Sequence, residues 1–332
     1  MRDIIVDADV VSRAVHLACR APSLHNSQPW RWVLAERAVH LYVDPKRALI
    51  NTDTTGREAL FGCGAALDHF RVAMASAGWL ANVDRFPDPN NLRHLAAVDF
   101  SPMGFVTHGH RRRADAILLR RTDRLPFASP ANWPSVLEML RDTVGIGGVR
   151  IDEIPDELRP ELVEISRLDD SLRLYDGHYH TELATWTPAF AVTDGVPQSS
   201  LVSAVESERV DIRRSFPVTH NPERRSEVPM DRSKLVVLST FDDTREAMLC
   251  CGERLSAVLL DATEAGLATC TLTHLTELPT TQRILSSLTG QITTPQIVVR
   301  IGRAPAMEQL APPTPRRPIE EVFDIVRGSE PE

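Results

Sequence analysis

Residues 21–30 read APSLHNSQPW and set His25, Asn26, Ser27 and Gln28 side by side between Pro22 and Pro29. A plain connector needs one or two turn formers, so this density of donors and acceptors suits a loop that hydrogen-bonds something flat and polar. The stretch also reads as an ordinary turn with Trp30 and Trp32 as core anchors, and spacing alone leaves both open. RRTDRLPF, residues 120–127, adds Arg120, Arg121 and Arg124, whose guanidinium forks match a phosphate dianion. Near the end, PPTPRRPIEEV (312–322) holds Arg316 and Arg317 between Pro315 and Pro318, where restricted backbone presents them at low entropic cost. Only two of the 37 basic residues are lysines, Lys46 and Lys234, so the competing reading for each arginine cluster is a solvated basic face.

The elements that must position these residues repeat. REALFGCGAALDHFRVAMASAGW (57–79) and REAMLCCGERLSAVLLDATEAGL (245–267) align without a gap at an offset of 188, sharing Arg, Glu, Ala, Cys, Gly, Leu, Ala and Gly at equivalent places. Both are amphipathic helix patterns, and Gly78 and Gly266 are placed to end them in a left-handed conformation. WRWVLA and VHLYVD precede the first copy as strands, and KLVVLST precedes the second; PQIVVRIG follows the second, with VDF near residue 98 as its counterpart. VVSRAVHLAC reads as a helix ended by Pro22, and RRRADAILLRR and SVLEMLRD as two more. The expectation is an α+β fold of two fused half-repeats, 1–112 and 113–332, with an insertion or lid over about 176–232.

Composition narrows the rest. Hydrophobic residues at 42% and charged residues at 25% are ordinary globular values, and a formal charge of −8 speaks against nucleic acid as the partner. Five cysteines without a C-x-x-C pair indicate neither a disulfide framework nor a zinc knuckle, and no apolar run is long enough to span a bilayer. A soluble cytoplasmic protein is expected. GCGAAL (62–67) lies inside the repeated helix and has too few glycines for a dinucleotide fingerprint, no P-loop or G-x-S-x-G elbow occurs, and HGH and HYH lack the spacing of a metal site.

Four stretches together resemble the signatures of FMN-dependent nitroreductases: A-P-S-x-x-N-x-Q-P-W at 21–30, R-R-[ST]-x-R-x-x-F at 120–127, GLATCTL at 266–272 and the closing P-R-R-P-I-E-E-V. Over nearly its full length the chain is similar to the Acg-type NAD(P)H nitroreductases of mycobacteria. That resemblance implies an intertwined, nitroreductase-like fold in which one chain imitates the superfamily homodimer. The first half keeps the P-S-x-x-N loop and the second the arginine motif, which implies one composite flavin site and one degenerate site. The residues implied to hold FMN are Pro22, Ser23, Asn26, Gln28, Pro29 and Trp30, with Arg120, Arg121, Thr122, Arg124, Arg316 and Arg317. Ser23 and Asn26 would meet the flavin edge or ribityl chain, and the arginines, with Arg316 or Arg317, its phosphate. Thr122 stands where the family usually has serine, and CTLTH (270–274) lacks the acidic-glycine pair of several members. Three functions follow: NAD(P)H-driven reduction of nitroaromatic or quinone acceptors, storage of FMN beneath a closed lid, or a stress-induced protein with a decayed site. No catalytic side chain is assigned, because in such a family the cofactor reacts.

Overall fold

A computed structural model describes residues 6–190, 193–217, 219–290, 292–306 and 312–326. The first half runs α1 (Ala8–Ala18), β1 (Trp30–Ala35), β2 (Ala38–Val43), α2 (Arg57–Ser76), β3 (Trp79–Arg85) and β4 (His94–Pro102). After α3 (His108–Leu119), the order repeats as α4 (Trp133–Val144), β5 (Val149–Ile154), β6 (Lys234–Thr240), α8 (Arg245–Glu264), β7 (Ala268–Leu272) and β8 (Thr294–Gly302). Between β5 and β6 the second half inserts α5 (Arg159–Arg173), α6 (Gly177–Thr185) and α7 (Ala204–Glu208); between β7 and β8 it inserts α9 (His274–Glu277) and α10 (Pro279–Thr289). The chain then passes through α11 (Ile319–Val322) into β9 (Phe323–Val326).

The two sheets carry the repeat in their strand order. One is β3-β4-β2-β1-β9 and the other, read from its opposite edge, β7-β8-β6-β5. Each therefore has the same four strands in the same order, and β4, which contains the VDF stretch, stands where β8 does. The exception is β9, which lies parallel to β1 with Phe323 opposite Trp32 and so ties the end of the chain to the sheet of the first half. Residue 112 falls inside α3, which packs against both α2 and α8.

Local chemistry accounts for the helices. Asp7 caps α1 by accepting from the Asp9 N–H, and Val11, Ala14, Val15 and Ala18 form its buried face. Helices α2 and α8 end alike: Gly78 and Gly266 take φ of 89° and 73°, a left-handed conformation that costs glycine little. Both helices are buried along most of their length because they pack on each other between the sheets.

That packing is reciprocal. A methyl group on Gly64 would overlap the carbonyl oxygen of Leu249, and one on Gly252 would overlap that of Phe61. Gly64 and Gly252 are equivalent at the offset of 188, and so are Phe61 and Leu249. Residue i touching j while the equivalent of j touches the equivalent of i is the signature of a two-fold contact, here made within one chain. Near the same axis two equivalent positions meet directly, where Ser256 Oγ donates to Asp68 Oδ2 at 2.6 Å. Gly252→Ala should therefore destabilise the protein at or beyond the upper end of the roughly 1–3 kcal/mol that overpacking costs. Urea unfolding of Gly252→Ala beside Gly147→Ala, whose added methyl meets open space, checks this.

Candidate functional site

The loop after α1 is buried and strained. His25, Asn26 and Gln28 have φ of 49°, 57° and 52°, left-handed values that cost non-glycine residues about 1–3 kcal/mol each. Such a loop persists only if its surroundings over-determine it. Gln28 N donates to Ser23 Oγ at 3.0 Å, closing the loop on itself. Both amide hydrogens of Asn26 are used, on Gly195 O and Pro315 O at 3.0 Å each. Gln28 Nε2 reaches Thr193 O at 2.9 Å, and its Oε1 accepts from Arg317 N at 2.9 Å. The loop is thus clamped between the insertion of the second half and the C-terminal segment. Arg47 adds to the clamp, donating to Ser27 O and to Asp194.

Beside this loop lies a polar cleft of about 490 Å³ lined by Arg20, Pro22, Ser23, Asn26, Arg120, Arg121, Thr122, Arg124 and Arg316, with Thr314 at its side. Five arginines meet here, and among the described residues no acid lines the cleft. Arg120 Nη2 donates to Arg20 O, and Arg316 donates to the carbonyls of Cys19, Arg20, Thr314 and Pro315. Among the described residues no carboxylate pairs with Arg20, Arg120 or Arg316, and Nε of Arg20 and of Arg120 is buried without a partner. Burial, with Arg20 and Arg121 nearby, pushes Arg120 down to about 10. Burial and Arg120 push Arg316 down to about 9. Buried like charges of this kind fit an anion that would accept from several forks at once.

Opening from the same wall is a second, mostly apolar cleft. Pro22, Ser23, Leu24 and His25 form one side, and Cys270, Thr271, Leu272, Thr273 and His274 the other. Thr122 and Arg124 join the two clefts, since both line each. The segment is held in place by Asp123 N, which donates to Thr269 O on β7 at 2.9 Å. Helix α2 contributes Glu58, Phe61 and Gly62 to the floor. Val202, Arg213, Arg214 and Phe216 come from the insertion and line the cleft as well. Phe216 meets His25 edge-on at 6.0 Å, and the Arg124 guanidinium sits 5.2 Å over the Phe216 ring. Arg214 is fixed by Thr273, Glu277 and Tyr179. Burial holds His25 and His274 well below the usual histidine range, so both are neutral.

Of the residues singled out in the sequence, Pro22, Ser23, Asn26, Arg120, Arg121, Thr122, Arg124 and Arg316 line one or both clefts. Others stand elsewhere. Trp30 is fully buried in the main core, and Gln28 and Pro29 support the loop from behind, Pro29 against Gly62. Arg317 turns away to Asp44 and Glu321, and of the adjacent pair it is Arg316 that lines the cleft. Asn26 has no amide hydrogen left for a ligand, because backbone carbonyls from two other segments take both. Sequence reasoning passed over Arg20, Glu58, Arg214 and Phe216. Arg20 alone carried a signal, standing directly before the A-P-S motif.

No family profile matches the chain. Individual proteins do. The Mycobacterium tuberculosis (strain H37Rv) protein named "Putative NAD(P)H nitroreductase acg" is 61% identical over 325 residues, 98% of each chain. A second protein of that strain, also named as an NAD(P)H nitroreductase, is 34% identical over 323 residues, 96% of this chain and 92% of its own. Among solved structures, the FMN-dependent nitroreductase NfnB from Mycobacterium smegmatis in complex with NADPH aligns with 66% of this chain and 99% of its own, at 12% identity and a TM-score of 0.39.

The arginine cleft makes its own prediction. Inorganic phosphate should raise the thermal stability of the protein beyond chloride at equal ionic strength, by about 1.4 kcal/mol at tenfold excess over its Kd. Arg316→Ala should lose most of that gain in the same thermal-shift assay.

Proposed function

The chain belongs to the Acg-type NAD(P)H nitroreductase family, and on that footing we propose that it is an FMN-binding oxidoreductase with one flavin site per chain, shared by its two halves. The observation that carries this reading is the junction of an arginine cleft with an apolar cleft. Both walls of each are drawn from the loop after α1 and from the second half. A phosphate dianion fits the polar side and a planar aromatic ring the apolar side. Arg120, Arg121, Arg124 and Arg316, with Arg20, would hold the phosphate; Ser23, Thr122 and the backbone of Thr271–His274 would border the ring. Bound there, FMN supplies hydride and electron transfer from NAD(P)H to nitroaromatic or quinone-type acceptors. The residues of this chain bind, orient and exclude water. The pseudo-two-fold contact of α2 and α8 supports a monomer that builds its site without a second copy.

A second reading, storage of FMN with little turnover, is favoured by the cover itself. Phe216 and Val202 of the insertion line the same cleft as the loop after α1, where they would compete with a nicotinamide for space on a bound ring. The cover is also latched well away from the cleft, where Glu182 accepts from the N–H groups of Asn51 and Thr52. We take the segment over about 176–232 as a lid in this sense.

An anaerobic visible spectrum of the FMN-loaded protein, taken before and after NADPH with dithionite as control, separates these readings. Bleaching by NADPH supports the reductase; reduction by dithionite alone supports storage; absence of bound flavin sinks both. Arg120→Ala or Arg121→Ala should weaken FMN binding roughly 10- to 100-fold, as expected for losing one charge-assisted contact, measured by flavin fluorescence titration.

A further inference from the structure

Among the described residues, Glu58 is the one carboxylic acid on the wall of the apolar cleft. It is 6% exposed and, among the described residues, its carboxyl makes neither a hydrogen bond nor an ion pair. Its oxygens are not among the buried orphan atoms, so what remains of their surface faces the cleft. The internal repeat supplies a control. Glu246 is the same residue in the second copy, in the first turn of α8, and there it is exposed. An acid in the first turn of a helix is favoured by the helix dipole and needs no ligand to account for it, which suffices for Glu246. It does not suffice for Glu58, since a carboxyl shut away from water without a partner costs several kcal/mol if charged.

The groups around Glu58 decide its form. Burial pushes its carboxyl well above the usual carboxylate range, and Glu277 from α9 and Asp53 from the segment before α2 push the same way; Arg57 and Arg214 pull against them. Arg57 is partly engaged by Gln296 and Asp243, and Arg214 by Glu277. Cys251 on α8 has its thiol pushed up by burial and then by Glu58, and His25 and His274 on the facing walls are neutral. An acid in this setting carries its proton and offers one O–H into an apolar space.

We propose that Glu58, as the neutral acid, donates a hydrogen bond to a carbonyl oxygen or imine nitrogen on the edge of the planar ring bound in this cleft, and thereby makes flavin retention depend on pH. The proposal rests on the flavin reading above. The sign follows from the donor. A ligand that accepts from the protonated acid binds while Glu58 keeps its proton. As pH rises through the raised folded-state value, the donor disappears and a carboxylate lone pair faces the acceptor. Affinity is thus retained on the acid side and lost on the alkaline side.

Riboflavin is the probe, because it lacks the phosphate whose own ionisation strengthens binding to the arginines as pH rises. Its Kd is measured by fluorescence quenching from pH 5.5 to 9 for the full-length wild type, Glu58→Gln, Glu58→Ala and Glu246→Gln, with FMN titrated alongside. The expectation is a wild-type affinity that declines toward alkaline pH and a Glu58→Gln affinity that holds across the range, since the amide keeps a donor. Glu58→Ala should bind roughly 3- to 10-fold more weakly than wild type at acid pH, the loss expected for one neutral hydrogen bond. Glu246→Gln should follow wild type. Wild-type affinity in both Glu58 variants at every pH, or Glu58→Gln as weak as Glu58→Ala, overturns the proposal while leaving the flavin site standing. No quenching of either flavin by the wild type removes both.

Discussion

Everything in this molecule hangs on the close approach of α2 and α8 at Gly64 and Gly252. Any side chain at either position would drive into backbone on the other helix, so the distance between the halves is set by what is missing. From that contact the two sheets take their separation, and with it the gap that becomes the clefts. The floor residues Phe61 and Gly62 belong to the same turns of α2 that meet α8, so helix packing and cleft shape are not independent.

Within this symmetric frame the site is built from asymmetry. Among the described residues, a loop with three left-handed non-glycine residues occurs in the first half alone, and the insertion and the arginine-bearing C-terminal segment that hold it in place belong to the second. Strain in the loop is held by that clamp, and the buried like charges beside it would suit an anion that accepts from several of them. Carbonyl oxygens keep Arg316 and Arg120 aimed, but they carry no net charge and leave the repulsion in place.

The repeat was legible because it depends on residue types that cannot be exchanged: glycines at the helix contact, glycines after the helices, and apolar positions at regular spacing. The order of the strands within each sheet was not legible, since it is set by long-range pairing. The arginine cluster was legible in composition, but its membership was not. Arg316 and Arg317 are adjacent and chemically identical, and only their tertiary contacts, backbone carbonyls after α1 for Arg316 and Asp44 with Glu321 for Arg317, decide which one turns inward. Phe216 and Arg214 could not be found because they reach the cleft across some 190 residues from the loop they cover, inside a stretch with no periodicity to read. Glu58 was hidden for another reason. Its sequence neighbourhood is the one it shares with Glu246, and only the tertiary surroundings, in which the loop after α1, β7 and the insertion line a cleft beside the first copy, make one acid buried and the other wet.

The join between the halves has a consequence in mass action. A site assembled from two separate chains is populated according to protein concentration and is lost on dilution. When both walls belong to one polypeptide, the encounter is intramolecular, and its effective concentration is fixed by the connector through α3 and by the C-terminal strand docked beside β1. Site assembly is then indifferent to how scarce the protein is. Fusion also ends the obligation to keep two equal sites: a substitution no longer appears twice about the axis, so one copy of the repeat can keep its glutamate buried while the other lets it out into water.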